Sequence, residues 1–126
     1  MSGPSAYGEY LMAREELMFS VMNVMADYQL DAIVHKTVEH QPTLISEGVG
    51  PPYHDMRGAT HINTFLVHVP SISVPAGFTS EGLPVGITFL GRPFSDGTMI
   101  KLAYAYEQGT GHRRSPSTAP PLPGEP

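Results

Sequence analysis

A pair of strand-like serines and a set of six histidines are the side chains in this sequence with the clearest potential for chemistry. Ser71 and Ser73 alternate with apolar residues in the run SISV. A serine hydroxyl is a weak nucleophile until an adjacent base takes its proton, and neither serine has such a base beside it in the sequence. Because the alternation is typical of a strand, we interpret both serines as structural.

The histidines recur at a spacing that raises the question of a metal site. His54, His61 and His68 lie seven residues apart. That spacing would align them only along a continuous helix, which Pro52 and Gly58 argue against. No H-x-x-x-H motif is present, and the absence of cysteine excludes disulfides and cysteine-based zinc sites. We therefore assign no metal ligand and no cofactor.

The composition bounds the class of protein. With 126 residues, of which 40% are hydrophobic and 15% charged, the chain fits one soluble globular domain with its own core. A formal net charge of −5 offers nothing to neutralise a row of phosphates, so we expect no nucleic-acid partner. No apolar stretch reaches the roughly 20 residues that span a bilayer, and no signal peptide is evident. We expect no membrane association and a cytoplasmic location.

The first half of the chain predicts a helix, a strand and an irregular segment. Tyr7 to Tyr28 has the pattern of one amphipathic helix, and Leu30 to Lys36 that of a short strand. The continuous apolar run Ala32–Val34 is typical of a strand covered on both faces. Six prolines and glycines predict irregular structure from Thr37 to Ile62. The helix stripe expected to face the core consists of Leu11, Leu17, Met18, Val21, Met22, Met25 and Tyr28.

The second half predicts two strands and a closing helix. Pro75 is expected to end a strand at Ile72–Val74, and a Gly/Pro turn leads to a second strand at Val85–Leu90. A helix over Thr98–Gln108 follows, with Ser95 as its N-cap. Its expected core face consists of Met99, Leu102, Ala103 and Tyr106.

The sequence around and beyond this helix predicts the limits of the folded part. We expect an α/β domain over residues 1–114 and a Pro-rich, extended or disordered tail over residues 115–126. Arg92, Arg113 and Arg114 are interpreted as surface charges or as charges that compensate a helix dipole.

Four short motifs, in a fixed order, carry a resemblance to a known family. They are LDAIV at Leu30–Val34, PSISVPAGF at Pro70–Phe78, GLPVGI at Gly82–Ile87 and AYAYEQ at Ala103–Gln108. Together they resemble the C-terminal part of the amidase signature family of amide hydrolases. The resemblance implies an α/β fold in which this chain forms the C-terminal portion of a mixed sheet flanked by helices.

The catalytic groups that the resemblance implies are not found in this sequence. The family uses a serine nucleophile, a second serine and a lysine base, with the serines in or near a Gly/Ser-rich loop. This chain has no such loop, and its only lysines, Lys36 and Lys101, lie in no matching context. We therefore assign no catalytic residue. In the family, the region after the LDAIV strand contributes to the substrate-site wall, which makes His35, His40 and His61 candidate substrate contacts.

Two functional hypotheses follow from the resemblance. The chain is either the C-terminal segment of an amidase-type hydrolase, inactive alone, or a non-catalytic binding or assembly module that keeps the amidase-like core. In both cases we expect an exposed sheet edge and an exposed apolar helix face. The expected partner is a complementary N-terminal amidase chain, or a second copy through self-association.

Overall fold

A computed structural model describes residues 4–49, 51, 68–116, 118–119 and 124 of the chain. In chain order, the elements within these ranges are α1 (Pro4–Asp27), β1 (Ile33–Lys36), α2 (Ile45–Gly48), β2 (Ser71–Phe78), β3 (Pro84–Leu90) and α3 (Asp96–Thr110). The predicted α/β class is confirmed. No helix in these ranges is long and apolar enough to cross a membrane.

The three strands form one sheet in the order β1-β3-β2, and both pairings are antiparallel. His35 lies opposite Thr88, and Thr88 lies opposite Ser73. Side chains alternate between the two faces of a sheet, so these three residues share one face. In the next row, Lys36, Ile87 and Val74 share the other face.

The ladder also fixes which backbone groups point out of the sheet. The N–H of Thr37 donates to the carbonyl of Gly86 at 3.0 Å, so residues 33, 35 and 37 direct their backbone groups toward β3. Val34 and Lys36 therefore direct their N–H and C=O groups away from β3. On the opposite side, the N–H of Gly91 donates to the carbonyl of Pro70 at 2.9 Å. By the same alternation, residues 71, 73 and 75 of β2 point outward.

The prediction that Pro75 ends its strand is wrong, because β2 continues to Phe78. Pro75 pairs with Gly86 at an outward-pointing position, so its missing N–H removes no bond to β3. Ala76 is then the extra residue of a bulge, since the next pair is Gly77 with Val85. Gly77 has φ of 126°, a conformation that side chains rarely adopt, so the bulge depends on a glycine.

Helix α3 covers one face of the sheet. Its buried residues Met99 and Ala103 pack on Val74 and Phe89. Leu102 and Tyr106 are partly buried against the same cluster, so the predicted core face of this helix is confirmed. The rings of Phe89 and Tyr106 meet edge to face, with centroids 5.9 Å apart.

Helix α1 contacts the other face of the sheet through part of the predicted stripe. Met25 is fully buried. Three residues of the stripe pack against the cluster of Val69 and Leu90, namely Met18, Val21 and Met22. Leu17 and Tyr28 are exposed, however, so their assignment to the core is wrong. The stripe therefore packs on the sheet only in the C-terminal half of the helix. The prediction that one helix exposes apolar side chains is confirmed.

The junction of β3 and α3 holds the end of α1. Nη2 of Arg92 donates to the carbonyls of Met25 and Leu30 at 3.0 and 2.9 Å, which confirms its interpretation as a charge that compensates a helix end. Ser95 lies at the N-cap of α3, but its hydroxyl donates backward to the Arg92 carbonyl at 2.7 Å. The predicted side-chain cap is thus wrong. Gly111, with φ of 59°, ends the helix in the left-handed conformation.

Two remaining expectations concern the loop and the tail. The segment predicted to be irregular after β1 contains the single turn of α2, and residues 50 and 52–62 lie outside the described part. The guanidinium of Arg114 lies 4.4 Å from the centre of the Phe78 ring, which attaches the chain beyond α3 to β2. Most of the predicted tail lies outside the described residues, and the predicted domain limits stay a prediction.

Candidate functional site

His35, one of the predicted substrate contacts, lies in the middle of β1 with 8% of its surface exposed. Its Nδ1 lies 2.7 Å from the carbonyl of Lys36. A carbonyl only accepts, so Nδ1 carries the proton and a neutral ring has Nε2 as an acceptor. Nε2 is buried, and no residue in the described ranges donates a hydrogen bond to it. An unpaired buried acceptor is uncommon in native proteins and marks this position as one to explain.

A row of hydroxyls crosses the sheet beside His35, and we call Thr37, Thr88 and Ser73 the hydroxyl row. Thr88 is buried and central. Its Oγ1 lies 2.9 Å from Oγ1 of Thr37 and 2.8 Å from Oγ of Ser73. Thr37 reaches Thr88 over Gly86, where an added Cβ would lie 2.6 Å from the Thr37 hydroxyl. A glycine at this position therefore leaves room for the row.

The hydroxyl row lacks the arrangement that activates a serine. The hydrogen-bond partner of Ser73 is another hydroxyl, which does not act as a general base. The unbonded Nε2 of His35 makes no hydrogen bond to the row. Lys36 lies on the opposite face, where its ammonium pairs with the Glu39 carboxylate at 3.0 Å. Within the described ranges, the geometry of Ser73 supports its interpretation as a strand residue.

An open pocket of about 470 Å³ lies at the end of β1. Most of its lining is apolar and comes from all three strands. The lining residues are Val34, His35, Lys36, Ala76, Val85, Gly86 and Ile87. Helix α3 packs on β2 and β3, and it leaves this part of the sheet uncovered. The pocket is therefore suited to an apolar group more than to a charged ligand.

Of the other two predicted contacts, the one that the structure describes does not line this pocket. His40 is exposed in the loop after β1, and His61 lies outside the described residues. His68, of the seven-residue series, accepts a hydrogen bond at Nε2 from the Arg14 guanidinium at 3.2 Å. Within the described ranges, no group of three or more histidine, aspartate or glutamate residues could hold a metal ion. The substrate role of the three histidines stays a prediction.

Sequence reasoning missed the hydroxyl row and the backbone groups of β1 that point away from β3. Thr37 and Thr88 are 51 positions apart, and nothing in either local pattern signals their contact. Their contact follows from the register of β1 against β3, and this register depends on the sequences of both strands. Period-two alternation did place Ser73 on a strand, and that was the available signal.

Comparison with known proteins supports the resemblance. Residues 3–100 match the family model Amidase. The chain is 37% identical over 105 residues to a glutamyl-tRNA(Gln) amidotransferase subunit of Treponema denticola, covering 81% of this chain and 21% of that protein. It is 49% identical over 59 residues to the corresponding subunit of Desulforudis audaxviator, covering 47% of this chain and 11% of that one.

Two solved structures share the fold. The native peptide amidase of Stenotrophomonas maltophilia superposes with a TM-score of 0.69 and 31% identity, over 90% of this chain and 22% of that one. The glutamyl-tRNA(Gln) amidotransferase subunit of Thermotoga maritima gives 0.70 and 31%, over 87% and 24%. The chain therefore spans at most a quarter of the relatives it matches here. With its match over residues 3–100, this chain belongs to the amidase family.

Proposed function

We propose that this chain is the C-terminal segment of an amidase-family hydrolase that cleaves C–N bonds of carboxamides, and that it is inactive alone. One observation carries the proposal: the family match covers residues 3–100, yet the chain spans only 11% to 24% of the four relatives named above. The segment supplies part of the sheet and of the core, and the complementary part of the fold supplies catalysis.

The contacts of the described residues support inactivity of the chain alone. Amide hydrolysis by a serine requires a base bonded to the hydroxyl and donors that stabilise the oxyanion. Ser73 bonds to Thr88, and Lys36 is paired with Glu39. The cytoplasmic location expected from the sequence, and the role of His35, His40 and His61 in the substrate wall, are further parts of this proposal.

The partner follows from the same reasoning. Relatives named as subunits of an amidotransferase are parts of larger assemblies, and we propose a complementary amidase portion as the partner of this chain. Self-association is the state that we expect when that portion is missing. The adjacent coding sequence gives a quick check, because an upstream neighbour with a Gly/Ser-rich loop and a lysine would supply the missing groups.

Amide hydrolysis by the purified chain tests the proposal directly. Ammonia release from primary carboxamides and labelling by a serine-directed fluorophosphonate are measured for the chain alone. They are then measured after mixing with the upstream part of the Thermotoga maritima amidotransferase subunit, cut before the segment that this chain matches. We expect neither signal from the chain alone, and both from the mixture.

Two outcomes would contradict the proposal. Turnover or serine labelling by the chain alone would show that it holds its own catalytic groups. A chain that is folded and binds the upstream part without restoring turnover would favour the non-catalytic module. The upstream part alone is the control for residual activity.

A further inference from the structure

We propose that the outer edge of β1, formed by the outward backbone groups of Val34 and Lys36, is where a strand of the complementary amidase portion joins the sheet. This inference rests on the proposed function and specifies the seam between the two parts. The opposite edge, on β2, is unsuited to a long pairing.

The β1 edge offers hydrogen-bonding groups in the pattern of a ladder. The N–H and C=O of Val34 and the N–H of Lys36 point away from β3, and nothing in the described ranges bonds to them. The carbonyl of Lys36 already accepts the Nδ1–H of His35. Three backbone groups thus await partners on this edge, and a neighbouring strand supplies such groups.

The composition of β1 is that of an interior strand. Ala32–Val34 is a continuous apolar run, which is typical of a strand covered on both sides. Val34 is nonetheless 48% exposed. Edge strands usually carry charged or proline residues, and β1 has one of these, Lys36, at its end, while Val34 in the apolar run is neither. The sequence of β1 therefore fits a sheet that continues past it.

The β2 edge has features that shorten any further pairing. Ser71 and Ser73 point their N–H groups outward, but Pro75, the next outward residue, has none. The bulge at Ala76 follows directly and bends the strand. A strand added here would lose its pairing after two residues, whereas β1 presents no such block.

The pocket described above adjoins the same edge. Val34, Lys36 and Ile87 lie on the same face as α3, and they line the pocket beside β1, where the helix does not cover the sheet. A strand laid along β1 would place every second side chain on this face, so an apolar residue of that strand can fill the pocket. Hydrogen bonds would thus fix the register, and the pocket would select an apolar side chain.

The occupant follows from how much of the fold lies outside this chain. The solved relatives contain four times this chain's matched length or more, since the match covers 22% and 24% of them. Among its described strands, a second copy of this chain would supply one more uninterrupted edge of four residues, Ile33–Lys36. The complementary portion is therefore the partner to which we assign the β1 edge.

The test compares one proline on each edge. Val34→Pro removes an outward N–H without removing a bond to β3, as Pro75 does naturally in β2. Ser71→Pro is the matched control, because it removes an outward N–H from the opposite edge. The upstream part of the Thermotoga maritima amidotransferase subunit is the probe. We expect Val34→Pro to weaken binding at least tenfold and Ser71→Pro to change it less than twofold.

Amide hydrogen exchange, read by NMR on the full chain, separates the outcomes. The Val34 and Lys36 amides should exchange fast in the free chain and slow in the complex, and a slow His35 amide shows that each variant is folded. Binding with both amides still fast, or equal losses in both variants, would overturn this inference and leave the proposed function intact. Failure of the wild-type chain to bind would contradict both. Slow exchange in a dimer of the chain alone would assign the edge to a second copy instead.

Discussion

At the scale of single residues, Thr88 is the centre of the hydroxyl row, because the hydroxyls of Thr37 and Ser73 both bond to its own. Thr88→Val keeps the shape and leaves Thr37 and Ser73 without this partner. We expect a loss of about 1–2 kcal/mol in the free energy of unfolding, since partners of a removed hydroxyl stay desolvated. Urea unfolding measures the change. Thr98→Val, on the exposed surface of α3, is the control, and an equal effect of both would contradict the role of Thr88.

Alanine substitutions at two glycines near α3 should change the stability of the fold in opposite directions. A Cβ at Gly91 would contact the Ser95 hydroxyl and lie 2.8 Å from Sδ of Met99. Gly91→Ala should therefore destabilise the fold by about 1–3 kcal/mol, as overpacking does. Gly97 lies inside α3 with nothing within 4 Å of its added Cβ, so Gly97→Ala should stabilise by up to about 1 kcal/mol. Thermal unfolding measures the melting temperature of both variants. Two shifts in the same direction would contradict this account of the packing around the glycines.

At this scale, the sequence predicts the features of a residue that its near neighbours in the chain determine. Ser73 follows from alternation with its immediate neighbours, and Met99 from helical spacing. The buried Nε2 of His35, which has no hydrogen-bond partner among the described residues, follows from neither. The imidazole is held by the bond from Nδ1 to the Lys36 carbonyl and is buried by residues distant in the sequence. No local sequence pattern contains that information.

At the scale of elements, Arg92 joins α1 to the start of α3. Its two bonds reach carbonyls of Met25 and Leu30, the end of α1 and the segment after it. Arg92→Met keeps the aliphatic length and removes both bonds, so the last turn of α1 should open more easily. We expect a loss of about 1–2 kcal/mol, near the lower range for bonds to a charged group, because the residue is exposed.

Hydrogen exchange measures this effect where it arises. Amides in the last turn of α1 should exchange faster in Arg92→Met, while those of α3 should not change. Arg113→Met is the matched control, since Arg113 is also exposed and no contact of its guanidinium with α1 is present in the described ranges. Unchanged exchange at α1 in the Arg92 variant would contradict this role.

The elements themselves were largely predictable, and their ends were not. Helical spacing of apolar residues placed α1 and α3, and short apolar runs bounded by turn residues placed β1 and β3. Pro75 misled the prediction, since the rule that proline breaks a ladder depends on which way the N–H points. That direction is set by pairing with β3, which lies outside the local sequence.

At the scale of the whole molecule, α1 exposes several large apolar side chains. They are Tyr7, Tyr10, Met12, Leu17, Phe19 and Val24. We expect the free chain to self-associate, with a mass in sedimentation equilibrium that rises with concentration. Phe19→Glu should lower this association.

A charge on another helix is the control for that prediction. Gln108→Glu adds a carboxylate at an exposed position of α3 and should leave the association nearly unchanged. A strictly monomeric chain at high concentration would contradict the prediction, as would equal effects of the two variants. Sequence reasoning predicted an exposed apolar helix face here, because the resemblance implied a sheet and core larger than this chain.

Pro75 makes the two edges of the sheet unequal in their capacity to pair with another strand. A strand added beside β2 would lose its regular pairing at Pro75 and the bulge, whereas β1 has no such interruption in the described part of the chain. A copy joined through β1 would offer the next copy this interrupted edge. We therefore expect Pro75 and the bulge to disfavour filaments built by edge-to-edge addition.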